Sequence, residues 1–220
     1  MRSSGLIVRS AWLAALLGGC AGGNEQSDID ASTEQDASTD AGTDTDTGSC
    51  DHGAFLGDYT ISSPYALGAL VGYTGVTGDL HVTLSTGLMN LQGLECLEIV
   101  GGALRLDYNE ALASLDGLEN VAEIGSYLQI AWNPALVTAD LSALKSTGTD
   151  IDIIYNESLE SLDLDALEYV GGYLQISDNS SLVCDVDALL DGVEVGGAIG
   201  VSDNAPGDGC GPSSAGDGGV

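Results

Sequence analysis

The stretch GSYLQIAWNPAL, residues 125–136, sets a glycine before a short apolar alternation, then an asparagine with a leucine three residues after it. Nearly the same phrase stands at GGALRLDYNEAL (101–112), TDIDIIYNESL (149–159) and GGYLQISDNSSL (171–182), and GGAIGVSDN (196–204) is a truncated last copy. The shared pattern is x-L-x-I-x-x-N-x-x-L. Its lead aliphatics are Leu104, Leu128, Ile151, Leu174 and Ile199, so the steps are 24, 23, 23 and 25 residues. Leu80-His81-Val82 is an earlier copy, 24 residues before Leu104 and with Ser85 in the asparagine slot, and Tyr59-Thr60-Ile61 opens the first coil. A fixed period of this size is the signature of a solenoid, in which each unit buries its apolar face only against its neighbours.

Each unit has a physical reading. The L-x-I step predicts a short strand with alternate residues inward, and stacked units pair these strands into a parallel sheet. Leu112, Leu115, Leu118, Val121 and Ile124 follow at three-residue steps, which suits 3₁₀-like coil that turns one side chain inward per turn. Gly101-Gly102, Gly171-Gly172 and Gly196-Gly197 are expected to permit the corner into the next strand. The column Asn109, Asn133, Asn156, Asn179 and Asn204 is expected to take the left-handed turn at the strand end and to satisfy the backbone of the next coil as a structural ladder. Asn156-Glu157-Ser158 and Asn179-Ser180-Ser181 spell glycosylation sequons, which are read as accidental because these amides are committed inside.

With its glycine corner, L-x-I strand and N-x-x-L turn, the repeat resembles the receptor L domain over roughly residues 55–210. This is the leucine-rich right-handed β-helix of insulin- and EGF-receptor ectodomains, and the closest likeness is to bacterial lipoproteins that carry such a repeat behind a lipobox and an acidic linker. The resemblance implies an all-β fold, a single right-handed leucine-rich β-helix, and extracellular recognition. The cysteine-rich modules, transmembrane helix and kinase of the receptors have no counterpart here, so kinase function does not carry over.

Residues 1–20, MRSSGLIVRSAWLAALLGGC, place Arg2 and Arg9 before an apolar run from Ala11 to Leu17, the architecture of a secretory signal too short to span a bilayer. Leu17-Gly18-Gly19-Cys20 resembles a bacterial lipobox, which implies cleavage before Cys20 and lipidation of that cysteine, a palmitate-type membrane anchor. The chain is thereby expected at the cell envelope, on the outer membrane or cell surface. The following tract to residue 49 has no Lys, Arg or aromatic residue. With so little apolar surface and so much like charge it is expected to be a disordered tether. The expected organisation is a signal over 1–19, a tether over 20–49, the β-helix over 50–210 and a disordered tail over 211–220.

Cys50, Cys96, Cys184 and Cys210 remain, an even number in a secreted context, which favours disulfides. Of the three connectivities, Cys184–Cys210 clipping the C-terminal cap and Cys50–Cys96 tying the N-terminal edge are expected, since the end coils of a solenoid lack a neighbour on one side. Four scattered cysteines without C-x-x-C spacing do not make a zinc site. Asp44-Thr45-Asp46-Thr47-Gly48 imitates a calcium loop, but Phe55 stands where a bidentate Glu is needed. No metal and no cofactor are expected.

The net charge of −30, with four Lys plus Arg in 220 residues, excludes a surface that neutralises nucleic-acid phosphates. After the signal, the only basic or imidazole side chains are Arg105, Lys145, His52 and His81. No Ser-His-Asp order, Cys-His order or phosphate loop is present, so no catalytic residue is assigned and the chain is read as a non-enzyme. Outward columns are the better candidates. With Leu104 and Leu106 inward, Arg105 and Asp107 point out, and Gln129, Asp152 and Gln175 share the Arg105 column. Tyr108, Trp132, Tyr155 and Asp178 form a second column, and Tyr127 and Tyr173 occupy strand starts. Together these aromatics are expected to form one stripe for an unknown protein or glycan ligand. Aromatics that only cover coil edges would give the same columns. The functional expectation is therefore a surface-anchored recognition or adhesion module, with a structural envelope lipoprotein as the alternative and a β-helix polysaccharide-active enzyme as a third reading.

Overall fold

The computed structural model describes residues 49–183 and 189–205. The signal, Cys20, nearly all of the acidic tether, the Cys184–Cys210 pair and the tail lie outside these residues. Within them the chain winds as a right-handed parallel β-solenoid. Seven strands, Tyr59–Ile61, Leu80–Thr83, Leu104–Asp107, Leu128–Ala131, Ile151–Ile154, Leu174–Ser177 and Ile199–Ser202, pair in parallel in chain order. The register places Leu104 opposite Leu128, Leu128 opposite Ile151 and Ile151 opposite Leu174, so equivalent residues of successive units stack directly.

The alternation decides which side is inside. Leu104 and Leu106, Leu128 and Ile130, Ile151 and Ile153, and Leu174 and Ile176 are all buried, and they join one contiguous core. Parallel pairing of each four-residue strand with the next unit's strand satisfies its backbone and buries its apolar side together. Asp107 lies on the outward side with Arg105, whose guanidinium donates to its carboxylate at 2.7 Å, and like the equivalent Ala131 and Ser177 it is nonetheless buried, only 6% exposed.

A second seven-stranded parallel sheet forms another wall, joined to the first through the glycine corners. Its strands are two residues each, including Ile99–Val100, Glu123–Ile124, Ser146–Thr147 and Tyr169–Val170. A two-stranded sheet of Thr138–Asp140 and Ser161–Asp163 forms a third side. Between these walls the chain turns through i→i+3 bonds, such as Leu118 N to Leu115 O at 3.0 Å and Val121 N to Leu118 O at 3.1 Å, and Leu112, Leu115, Leu118 and Val121 all point into the core.

The glycine corners work by a different cause from the one expected. Gly101, Gly125, Gly148 and Gly171 do not adopt left-handed φ angles; a Cβ on Gly125 would instead strike the carbonyl oxygen of Gly101 one coil earlier, and Gly148 and Gly171 repeat the relation. The column is glycine because the coils pass too closely there for any side chain. A helix of five residues, Pro64–Gly68, interrupts the first coil; Ser63 Oγ caps it by accepting from Ala66 N at 3.3 Å, and Pro64 opens it. The Cys50–Cys96 disulfide joins residues 46 apart at this N-terminal end.

Candidate functional site

The site begins with the asparagines. Asn109, Asn133, Asn156 and Asn179 have no exposed surface. Asn133 Oδ1 accepts from Asn109 N and from Asn109 Nδ2, both at 3.1 Å, while Asn133 Nδ2 donates to Leu106 O at 2.9 Å. Asn156, Asn179 and Asn204 repeat these bonds, and Ser85 N begins the row by donating to Asn109 Oδ1 at 3.2 Å. Each amide therefore satisfies the backbone of the preceding coil, not of the following one, and meets the following coil only through that coil's asparagine side chain.

The left-handed turn falls one residue earlier than expected. Leu84, Tyr108, Trp132, Tyr155, Asp178 and Asp203 have φ between 55° and 58°, and the asparagines do not share this conformation. A non-glycine residue there costs on the order of 1–3 kcal/mol, least for Asn and Asp. Asp178 and Asp203 are residues that suit it; Tyr108, Trp132 and Tyr155 are not. The solenoid demands the turn in every coil, but nothing in the backbone asks for aromatic rings at three consecutive ones.

Those rings stack along the solenoid axis. Tyr108 and Trp132 lie with centroids 6.1 Å apart and planes 2° from parallel, and Trp132 and Tyr155 with centroids 4.1 Å apart at 19°. They stay 50%, 45% and 39% exposed. Beside them runs the next column, Glu110, Pro134 and Glu157, each immediately after a ladder asparagine and each exposed. The two columns, with Leu84, line an open groove of about 340 Å³. None of the ion pairs among the described residues includes Glu110 or Glu157.

The other candidates stand apart from the groove. Arg105, Gln129, Asp152 and Gln175 do share one column by register. They are occupied internally: Arg105 Nε donates to Gln129 Oε1 at 3.1 Å, Arg105 also binds Asp107, and Gln175 Nε2 donates to Ser177 Oγ at 3.0 Å. Tyr127 and Tyr173 stand at the opposite ends of their strands from Trp132 and Asp178, so the aromatics do not make one stripe. Tyr173 Oη donates instead to Asp152 Oδ2 at 2.8 Å. That bond is the main cause that pushes the Tyr173 phenol up to about 12. Burial raises the Asp152 carboxyl above the ordinary carboxylate range, the Tyr173 bond opposes this, and the Asp150 charge adds to it.

Glu110, Pro134 and Glu157 were missed at the sequence level. The repeat itself holds the signal, since the position after each Asn is as regular in register as the one before it. Among the described residues no group of three His, Cys, Asp or Glu is placed to hold a metal ion. Fold and groove together define a parallel β-solenoid that displays stacked aromatics in a carboxylate-flanked groove. Comparison of the chain with protein-family models, with curated proteins and with solved structures finds no match to any of them.

Proposed function

We propose that the chain is a lipid-anchored bacterial envelope protein of receptor L-domain type, whose solenoid serves recognition or adhesion and performs no catalysis. The signal and the lipobox-like Leu17-Gly18-Gly19-Cys20 support the anchor, and the acidic tract supports a tether that holds the solenoid off the membrane. The observation that carries recognition is the stack of Tyr108, Trp132 and Tyr155. Three aromatics occupy the one backbone conformation that disfavours them, half exposed, on the wall of a groove. Large rigid rings held without rotational freedom are what binding surfaces use for contact area.

The test is Trp132→Asn, which keeps a residue suited to the left-handed turn. Relief of strain and loss of stacking oppose each other, so stability is expected to hold within about 1 kcal/mol of the parent. Binding on a peptide and glycan array is expected to be lost. A fall in thermal stability of many degrees, with binding retained, would make the rings an edge cover instead. For the anchor, incorporation of an alkyne-palmitate label by expressing cells is expected, and Cys20→Ser is expected to abolish it.

A further inference from the structure

Resting on the reading of the groove as a recognition site, we infer that its ligand is an extended basic segment of a partner protein, with Arg or Lys side chains reaching Glu110 and Glu157. Three observations carry this. The first is the mode of stacking. A pyranose ring binds by lying on an aromatic face, but here the faces of Tyr108, Trp132 and Tyr155 are turned toward one another, with planes 2° and 19° apart. The rings give the groove an apolar wall of ring edges, which suits the aliphatic stems of long side chains.

The second observation is charge. Glu110 and Glu157 stand on either side of Pro134 without an ion-pair partner among the described residues, in a chain of net charge −30. An apolar ligand in the groove would cover these carboxylates and return nothing for their lost hydration, and a hydroxyl or amide would return hydrogen bonds alone, whereas a guanidinium or ammonium head supplies both the bonds and the opposite charge. Arg105, the cation of the neighbouring strand column, is already engaged by Asp107 and Gln129.

The third is spacing. Glu110 and Glu157 belong to coils separated by one intervening coil, so parallel strand spacing sets them about 10 Å apart along their column. A peptide in the extended polyproline-II conformation advances about 3.1 Å per residue and returns a side chain to the same face every three residues, so cations three residues apart lie about 9 Å apart on one side and meet both carboxylates. A basic segment of the form Arg-x-x-Arg, running along the solenoid axis over Pro134, fits the groove.

The experiment uses the full-length protein in detergent and four fluorescent probes. These are a peptide with two Arg-x-x-Arg steps, its isomer with the arginines adjacent, a glutamine-substituted peptide of the same length, and a neutral hexasaccharide. Because an acidic surface attracts any basic peptide, Glu110→Gln/Glu157→Gln is compared with Glu98→Gln/Glu123→Gln, an equal loss of charge at exposed positions outside the groove. The expected result is preference for the three-residue spacing and about tenfold weaker binding in the groove variant alone. Equal loss in both variants, or no binding of either arginine peptide, overturns the inference. Binding of the hexasaccharide that Trp132→Asn abolishes would also overturn it while leaving the recognition reading intact. Failure of every probe in the parent, together with destabilisation by Trp132→Asn, would overturn both.

Discussion

Asn133 shows how one buried side chain can hold three coils in line. It accepts from two donors of Asn109, donates to Leu106 O, and donates to Asn156 Oδ1 at 3.1 Å. Asn133→Ala leaves the Asn109 backbone N–H buried without its acceptor, at about 1–3 kcal/mol, and removes one further bond each from Asn109 Nδ2 and the Leu106 carbonyl, so a loss of about 2 kcal/mol or more is expected in denaturant unfolding. Tyr173 offers a second test at this scale. Its phenol is raised from an ordinary 10.0 to about 12, so the stability this gives is full below pH 10 and is lost as the pH climbs through 12. Titration of tyrosinate absorbance is expected to show one late-ionising group that Tyr173→Phe removes and that Asp152→Ala returns to the ordinary range. The raised Asp152 carboxyl has the same sign at the acid end of the scale. Its neutral form is the favoured one in the fold, so its contribution is full below the ordinary carboxylate range and is lost as the pH rises through its own shifted value. The asparagines could be read because a polar residue recurring inside an apolar register needs a structural reason. The left-handed residues before them could not, because Leu, Tyr and Trp carry no mark of that conformation.

At the level of the elements, alternation made the four-residue strands readable: Leu128, Gln129 and Ile130 can only be in, out and in. The sheet of two-residue strands escaped notice because two residues such as Glu123 and Ile124 make no period. The helix at Pro64–Gly68 escaped because it occurs once, in a coil where the repeat is least regular. The glycine corners could be located but not explained, since two chain segments in contact leave no trace in either one alone. The explanation now makes a prediction. Gly125→Ala pushes its methyl into the Gly101 carbonyl, and a loss of about 1–3 kcal/mol is expected from the forced separation of the coils. Gly200→Ala, with open space around the added methyl, is expected to leave the thermal midpoint unchanged.

For the whole molecule, stability is a sum of neighbour interfaces, so the ends decide where unfolding starts. The Cys50–Cys96 bond closes a loop of 46 residues at the N-terminal end, and such a loop restrains the unfolded chain by about 4 kcal/mol at most. Cys50→Ser/Cys96→Ser is expected to lower the unfolding midpoint and to speed hydrogen exchange first over Ala54–Ile61, with the amides of Leu128–Ala131 and Ile151–Ile154 protected for longer. Simultaneous loss of protection along the solenoid would show that the bond acts on all coils alike. The groove reaches across several of these coils and belongs to none of them. A duplication of one 23-residue unit would therefore lengthen the binding face by one fixed increment without a new fold, and a deletion would shorten it. Descendants of one ancestral gene could thus differ in the length of partner they measure while sharing every feature of the scaffold.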